Sequence, residues 1–161
     1  MKKIYYLYSV MIFLLLISCG GGVSNIPVKE YNEGINIIHQ PQSSVQHEGV
    51  LRINSETALY AANPEAKTIA SFFAAKMKHS TGNPMNVSDN DPLKNVISLL
   101  IDESLDVNDE GYHLAVTSSV VTVRAKTPQG LFYGMQSFMQ LLPAEIESSG
   151  KVENIAWSVP C

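Results

Sequence analysis

Charge, cysteine and repeated segments are all scarce in this sequence, and each shortage excludes a class of protein. Lys, Arg, Asp and Glu make up 16% of the 161 residues and sum to a net charge of −4. A nucleic-acid binder would instead carry clustered positive charge. Two cysteines, Cys19 and Cys161, are too few for a disulfide-rich scaffold or a multi-cysteine zinc module. No segment recurs with a period of about 20–50 residues, which excludes solenoids and propellers. The 45% hydrophobic content is that of a globular protein.

Motifs for catalysis and for cofactor binding are missing as well. The sequence has no G-x-S-x-G elbow, no Walker loop and no G-x-G-x-x-G. The four histidines lack a ligand spacing such as H-E-x-x-H: His39, His47, His79 and His113. The sequence therefore predicts no cofactor, no metal and no nucleic-acid partner.

The first 19 residues are typical of an exported protein. Lys2 and Lys3 precede an apolar run over residues 4–17 that only Ser9 interrupts. The run is too short to cross about 30 Å of hydrocarbon, but it fits the apolar part of a secretory signal peptide. It ends in LISC at 16–19, which resembles a bacterial lipobox and implies acylation of Cys19. The alternative is an ordinary signal peptide with a chance cysteine.

These features predict three segments and a location. Residues 1–18 are a lipoprotein signal peptide, residues 19–34 are a glycine-rich tether lipidated at Cys19, and residues 35–157 are a folded domain. We expect an exported bacterial lipoprotein of the outer membrane, periplasm or cell surface, held by lipid on Cys19. Stable anchoring needs more than one lipid chain. Cys161 is then expected to be a small buried apolar residue rather than a reactive thiol.

Short β-prone segments alternate with two amphipathic segments in the folded domain. The strand candidates are residues 35–39, 44–46, 50–53, 57–61, 95–101, 111–117 and 120–126. The run at 95–101 is almost wholly apolar, which favours a central strand. The fold class is therefore predicted to be α+β. We expect a β-α-β-β-α sandwich with a small mixed or antiparallel sheet and two helices on one face.

Capping signals define the first helix. Asn63-Pro64 supplies an N-cap residue and a proline at the first helical position, and Gly82 is a suitable C-cap. Apolar residues recur at helical spacing between them: Ile69, Phe72, Phe73 and Met77. The spacing predicts that this stripe faces the core.

The second helix begins at Thr127-Pro128 and ends before Pro143. Its apolar stripe falls at i, i+4, i+7 and i+11: Leu131, Met135, Phe138 and Leu142. Gly130 and Gly134 lie four residues apart beside this stripe. Each glycine costs about 1 kcal/mol of helix propensity relative to alanine. A close approach of the helix to a sheet would explain both.

Two groups of residues could form a binding or catalytic site, but an ordinary structural role is favoured for each. The acidic segment 102–110 lacks the spacing of an EF-hand and is interpreted as a solvated connection between strands. Tyr112, Tyr133 and Trp157 could stack on a sugar ring, although packing is the more common role of such residues.

Three blocks of the sequence match a known family pattern: EGYHL at 110–114, VTVRA at 121–125 and GLFYGMQSFMQLLP at 130–143. They resemble E-G-Y-x-L, a strand ending in Ala, and G-x-F-Y-G-x-Q-T-L-x-Q-L-L-P. This is the pattern of the N-terminal domain of family 20 glycoside hydrolases, the β-N-acetylhexosaminidases. Ser137 stands where the family usually has Thr.

Two flanking segments extend the resemblance over about residues 35–161. IIHQPQ at 37–42 resembles the family's opening I-I-P-x-P, with His39 in place of the usual proline. WSVPC at 157–161 resembles the segment just before the family's catalytic barrel. Residues 158–161 are accordingly expected to begin a linker to that barrel.

The resemblance implies a supporting rather than a catalytic role. In the family the Asp–Glu pair lies in a downstream (β/α)₈ barrel, where the substrate's own acetamido group acts as nucleophile. No catalytic residue is therefore assigned here. The partner is the downstream barrel of the same polypeptide, and glycan is bound only through it. Five residues are expected to lie in the core or against the barrel: Leu131, Tyr133, Gly134, Phe138 and Trp157.

The expected function is that of the N-terminal domain of an exported β-N-acetylhexosaminidase. Such an enzyme removes terminal N-acetylglucosamine or N-acetylgalactosamine from glycans, and this chain alone would be inactive. Two alternatives stay open. One is a stand-alone, non-catalytic surface lipoprotein that binds a partner or a glycan. The other is the equivalent domain of a family 84 or family 67 glycosidase.

Overall fold

A computed structural model describes residues 35–161. The predicted signal peptide, the lipidation of Cys19 and the tether all lie outside the described residues. Within 35–161, neither helix combines the length and the hydropathy needed to cross a membrane.

The described residues form seven strands, two α-helices and one short 3-10 helix. The strands are β1 Val50–Arg52, β2 Ala58–Ala61, β3 Asn86–Ser88, β4 Val96–Ile101, β5 Tyr112–Val116, β6 Val120–Ala125 and β7 Ser158–Pro160. The α-helices are α1 Pro64–Thr81 and α2 Pro128–Leu141, and the 3-10 helix is Ala144–Glu147.

Five of the strands form a mixed sheet in the order β3-β2-β4-β6-β5. The β3–β2, β2–β4 and β4–β6 pairs are parallel, and β5 pairs with β6 as an antiparallel hairpin. The hairpin turn contains Ser118 and Ser119, as the sequence predicts. The apolar β4 lies at the centre, and Val96–Leu99 is buried. β1 and β7 form a separate antiparallel pair.

Both helices lie on one face of this sheet. α1 packs on β2 and β4, α2 packs on β5 and β6, and the helices contact each other. Alternate sheet residues that belong to the shared core are fully or almost fully buried: Leu59, Ile97, Leu99, Val121 and Val123. The predicted α+β class with two helices on a mixed sheet is confirmed.

The predicted capping residues set the helix boundaries. The Asn63 side chain accepts a hydrogen bond from the Ala66 N–H at 2.8 Å, and Gly82 ends α1 with a φ of +71°. The Thr127 side chain accepts from the Gly130 N–H at 3.2 Å. Because each cap satisfies a backbone N–H that would otherwise lack a partner, these residues fix where the helices begin.

The strands predicted at 35–39 and 44–46 are wrong. Residues 35–49 form no strand, and their backbone runs over the surface instead. The Ile38 N–H donates to Gln140 Oε1 at 2.8 Å, and Gln140 Nε2 donates to the Ile38 carbonyl at 3.0 Å. A side chain of α2 therefore satisfies this backbone where the prediction expected a neighbouring strand.

Two short strands, β3 and β7, were missing from the prediction. β3 is a three-residue edge strand held by parallel pairing with β2. β7 occupies residues 158–160, where a linker is predicted to begin, and its Val159 is fully buried opposite Leu51. Cys161 follows β7 and is half-buried. Its N–H donates to the Gly49 carbonyl at 3.0 Å.

The core-facing stripe of α1 needs one correction. Phe73 and Met77 are fully buried, but Phe72 is 55% exposed. Consecutive helical residues point about 100° apart, so Phe72 and Phe73 cannot both face the sheet. Small residues complete the buried stripe: Ala66, Ala70 and Ala74.

Candidate functional site

The acidic segment between β4 and β5 is held by local contacts at the surface. Asp102 pairs with Arg124 of β6, and its Oδ1 accepts from the Ser104 hydroxyl at 2.6 Å. The Ser104 hydrogen bond, and after it the Arg124 guanidinium, hold the pKa of Asp102 below its usual value. A depressed carboxyl pKa is the opposite of what a general acid needs.

Several other charged side chains form ion pairs at the surface. Asp109 lies 4.0 Å from Lys126, with an aspartate side chain that is 77% exposed. His79, near the end of α1, contacts the Ser149 carbonyl through Nε2. Within residues 35–161, no three or more His, Cys, Asp or Glu side chains are placed to hold a metal ion.

A cluster of four rings joins the two helices. Phe73 of α1 and Phe132 of α2 have ring centroids 5.3 Å apart, and Phe72 lies 5.1 Å from Phe73 and 5.9 Å from Phe132. Tyr133 completes this aromatic cluster, with its centroid 6.3 Å from that of Phe132. Phe73 is buried, whereas Phe72 is 55% exposed and Tyr133 is 42% exposed.

Phe72 and Tyr133 form the exposed part of the aromatic cluster. Every other phenylalanine or tyrosine among residues 35–161 is buried or half-buried. Adjacent exposed apolar side chains that come from two packed elements often mark a surface that another part of a protein covers. Phe72, Phe132 and Tyr133 together are therefore the candidate functional surface.

The predicted glycine contacts are present on the other side of α2. A Cβ atom on Gly134 would overlap Val123 Cγ1 of β6 and would lie 3.1 Å from the Tyr112 ring. A Cβ on Gly130 would overlap the Gly111 carbonyl oxygen. The Tyr112 hydroxyl lies 2.6 Å from the Ser137 hydroxyl, which ties β5 to the same helix. The glycines therefore allow α2 to lie close to the hairpin.

The five residues expected in the core or against a barrel occupy two different environments. Leu131 and Phe138 are fully buried, Gly134 is buried, and Trp157 is 7% exposed. Tyr133 is the only one of the five with a large exposed fraction. Sequence reasoning missed Phe72 and Phe132 as partners of Tyr133. The adjacent pairs Phe72-Phe73 and Phe132-Tyr133 in the sequence could have revealed this surface. Two consecutive aromatic residues on a helix cannot share one face, so one ring of each pair must point away from the core.

Comparisons with known proteins place this fold in a family. The family described as "Glycosyl hydrolase family 20, domain 2" matches residues 34–161. The chain is 31% identical over 153 residues to a beta-hexosaminidase of Porphyromonas gingivalis, covering 94% of this chain and 20% of that protein. It thus spans about one fifth of the length of this curated relative.

Solved structures share the fold over a similar part of their length. The GH20 β-N-acetylhexosaminidase of Streptomyces coelicolor A3(2) superposes with a TM-score of 0.69 at 28% identity, over 74% of this chain and 24% of that chain. The β-N-acetylhexosaminidase of Bacteroides fragilis superposes with a TM-score of 0.59 at 24% identity, over 80% and 24%. The two helices on a mixed sheet and the match over residues 34–161 agree, and the chain therefore belongs to glycosyl hydrolase family 20, as its domain 2.

Proposed function

We propose that this chain is the N-terminal, non-catalytic domain of an exported β-N-acetylhexosaminidase. Such an enzyme hydrolyses terminal N-acetylglucosamine or N-acetylgalactosamine from glycans. The family match over residues 34–161 is the observation that carries the proposal. The chain spans only about a fifth of its matched relative.

The domain supports the catalytic barrel of the same polypeptide by packing against it. The aromatic cluster is the surface we assign to this contact. Burying the exposed parts of Phe72 and Tyr133 would remove apolar area from water, which stabilises association by about 25 cal/mol per Å². Both side chains already pack against the Phe132 ring, Phe72 from α1 and Tyr133 from within α2. Little conformational freedom is therefore lost when a partner covers them.

The purified chain is expected to show no turnover of a chromogenic N-acetylglucosaminide. Asp102 pairs with Arg124, and the hydrogen bond from Ser104 and the Arg124 guanidinium hold its pKa below its usual value, which does not suit a general acid. The measurement is release of the chromophore over a buffer blank. Turnover that co-purifies with the chain, and that Asp102→Asn or Glu103→Gln abolishes, would contradict the proposal.

Reading the gene beyond codon 161 distinguishes the proposal from its main alternative, a stand-alone surface lipoprotein. We expect an open frame that encodes a barrel with an Asp–Glu pair. A stop codon in a well-expressed transcript would favour the lipoprotein that acts without catalysis. In that case the aromatic cluster would bind a separate partner.

Export and anchoring form a separate part of the proposal and rest on LISC at 16–19. Cys19→Ala is expected to prevent lipidation, because the thiol that accepts the lipid is lost, and to leave unprocessed precursor or released protein. Mass spectrometry of the mature N-terminus measures the outcome, with Cys161→Ala as the matched control that should stay lipidated. An unmodified N-terminus in the native protein would refute the anchor.

A further inference from the structure

An open cavity, whose lining includes no residue of the aromatic cluster, lies at the surface beside β1. It has a volume of about 320 Å³ and lies where β1 meets the loop before β4 and the β5–β6 turn. Its lining residues are Val50, Leu51, Arg52, Asn54, Lys94, Asn95, Ser118 and Ser119. Lys94 is the cation on which the site depends, and none of the lining residues is a carboxylate. A cavity of this size is at the lower end of the range that holds small molecules.

Hydrogen bonds between three chain segments hold the wall of this cavity in place. The Asn95 N–H donates to the Ser119 carbonyl at 2.6 Å, which joins the start of β4 to the hairpin turn. The buried Thr57 hydroxyl donates to Asn95 Oδ1 at 2.7 Å and accepts from the Asn54 N–H at 2.9 Å. Asn95 Nδ2 donates to Asn54 Oδ1 at 3.1 Å. The two carboxamides are therefore fixed before any ligand arrives.

The hydrogen bonds of this wall occupy the side-chain oxygens of Asn54 and Asn95 and leave amide N–H groups free to donate. Asn54 Oδ1 accepts two hydrogen bonds, from the Glu56 N–H and from Asn95 Nδ2, and Asn95 Oδ1 accepts one. Among residues 35–161, Asn54 Nδ2 has no hydrogen-bond partner, and Asn95 Nδ2 keeps a second hydrogen. The Lys94 ammonium forms no ion pair with any described carboxylate. Besides the apolar Val50 and Leu51, the cavity wall thus presents N–H donors, two serine hydroxyls and the charge of Lys94.

We infer that this cavity binds an oxyanion: a carboxylate, sulfate or phosphate group, free or carried by a sugar. Lys94 supplies the charge at one side, and the Asn54 and Asn95 carboxamides supply oriented donors at the other. Charge-assisted hydrogen bonds are the strongest that such groups make. The cavity is open to solvent, so salt weakens the attraction and an affinity of about 1 mM is expected.

Titration of the purified chain with four probes tests this site: D-glucuronate, inorganic sulfate, inorganic phosphate and D-glucose. Glucuronate and glucose share a ring and differ in the carboxylate, which makes glucose the neutral control. Amide NMR shifts of Asn95 and Ser119 are expected to saturate with the anions and not with glucose. Saturation with glucuronate alone identifies a sugar acid, whereas equal saturation with sulfate or phosphate identifies a free oxyanion.

A pair of charge-matched variants separates the cavity from general electrostatics. Lys94→Gln is expected to weaken binding about tenfold, and Lys94→Arg to restore it. Lys78→Gln removes the same charge from an exposed position in α1 and should leave binding unchanged. Equal weakening by Lys78→Gln, equal shifts with glucose, or shifts that rise without saturating would each overturn the inference.

Discussion

Phe138→Ala is expected to lower the free energy of unfolding by about 3–5 kcal/mol, the usual cost of removing a buried phenylalanine ring. Phe138 is fully buried in α2, at the third position of a stripe in which Leu131 and Met135 are also fully buried. Truncation removes the transfer energy of the ring and leaves a cavity that close-packed neighbours fill only in part. For a domain with a stability of about 5–15 kcal/mol, this is a large fraction of the total.

Urea denaturation of the purified chain measures this effect, with Phe72→Ala as the matched control. Phe72 lies in the same helical layer but is 55% exposed, so its truncation loses partial ring contacts and is expected to cost about 1 kcal/mol. The slope of the transition should stay constant, which identifies a change in stability rather than in the unfolded state. Equal midpoints for the two variants would mean that Phe138 is not part of the core in solution.

The elements that sequence analysis predicted well are those whose own residues determine them. Each helix start combines a side-chain cap with a proline at the first helical position, Asn63 with Pro64 and Thr127 with Pro128. These signals act within four residues and need no partner from elsewhere in the chain. The almost wholly apolar β4 could likewise only be stable at the centre of a sheet.

The elements that sequence analysis missed depend on distant partners. β3 and β7 have three residues each, too few for an alternating pattern, and they exist because β2 and β1 offer them hydrogen bonds. The false strand at 35–39 is the converse case. Its residues are β-prone, but the Gln140 side chain takes the place of a neighbouring strand. Strand propensity therefore predicts a strand only where an edge is available.

Of the candidate surface, the sequence pointed only to Tyr133, because the exposure of these rings also depends on contacts between distant parts of the chain. Spacing alone placed Phe72 in the core stripe and gave no preference between core and barrel for Tyr133. Only the packing of α1 against α2 decides which ring of each adjacent pair is turned outward, since both helices must first bury their small and aliphatic residues on the sheet. The family resemblance supplied the expected partner, but not the ring positions.

Gly134→Leu is expected to lower the free energy of unfolding by about 2–3 kcal/mol, the cost of overpacking a core. Helix propensity alone would favour leucine by about 1 kcal/mol. That gain is outweighed because even a Cβ atom at this position would overlap Val123 Cγ1 and press on the Tyr112 ring. Val123 is itself fully buried, so it has no space into which to move.

Comparing alanine at two glycines isolates this steric cost from any general effect of replacing glycine. Nothing lies within 4 Å of a Cβ atom on Gly150, so Gly150→Ala should be neutral or slightly stabilising through the unfolded chain. Gly134→Ala should be destabilising, and Gly134→Leu more so, because both must push α2 away from β6. As α2 moves, the Tyr112–Ser137 hydroxyl contact at 2.6 Å should lengthen, which a change in tyrosine fluorescence would report. A denaturation midpoint that rises for Gly134→Leu would instead mean that this face of α2 is open in the isolated chain.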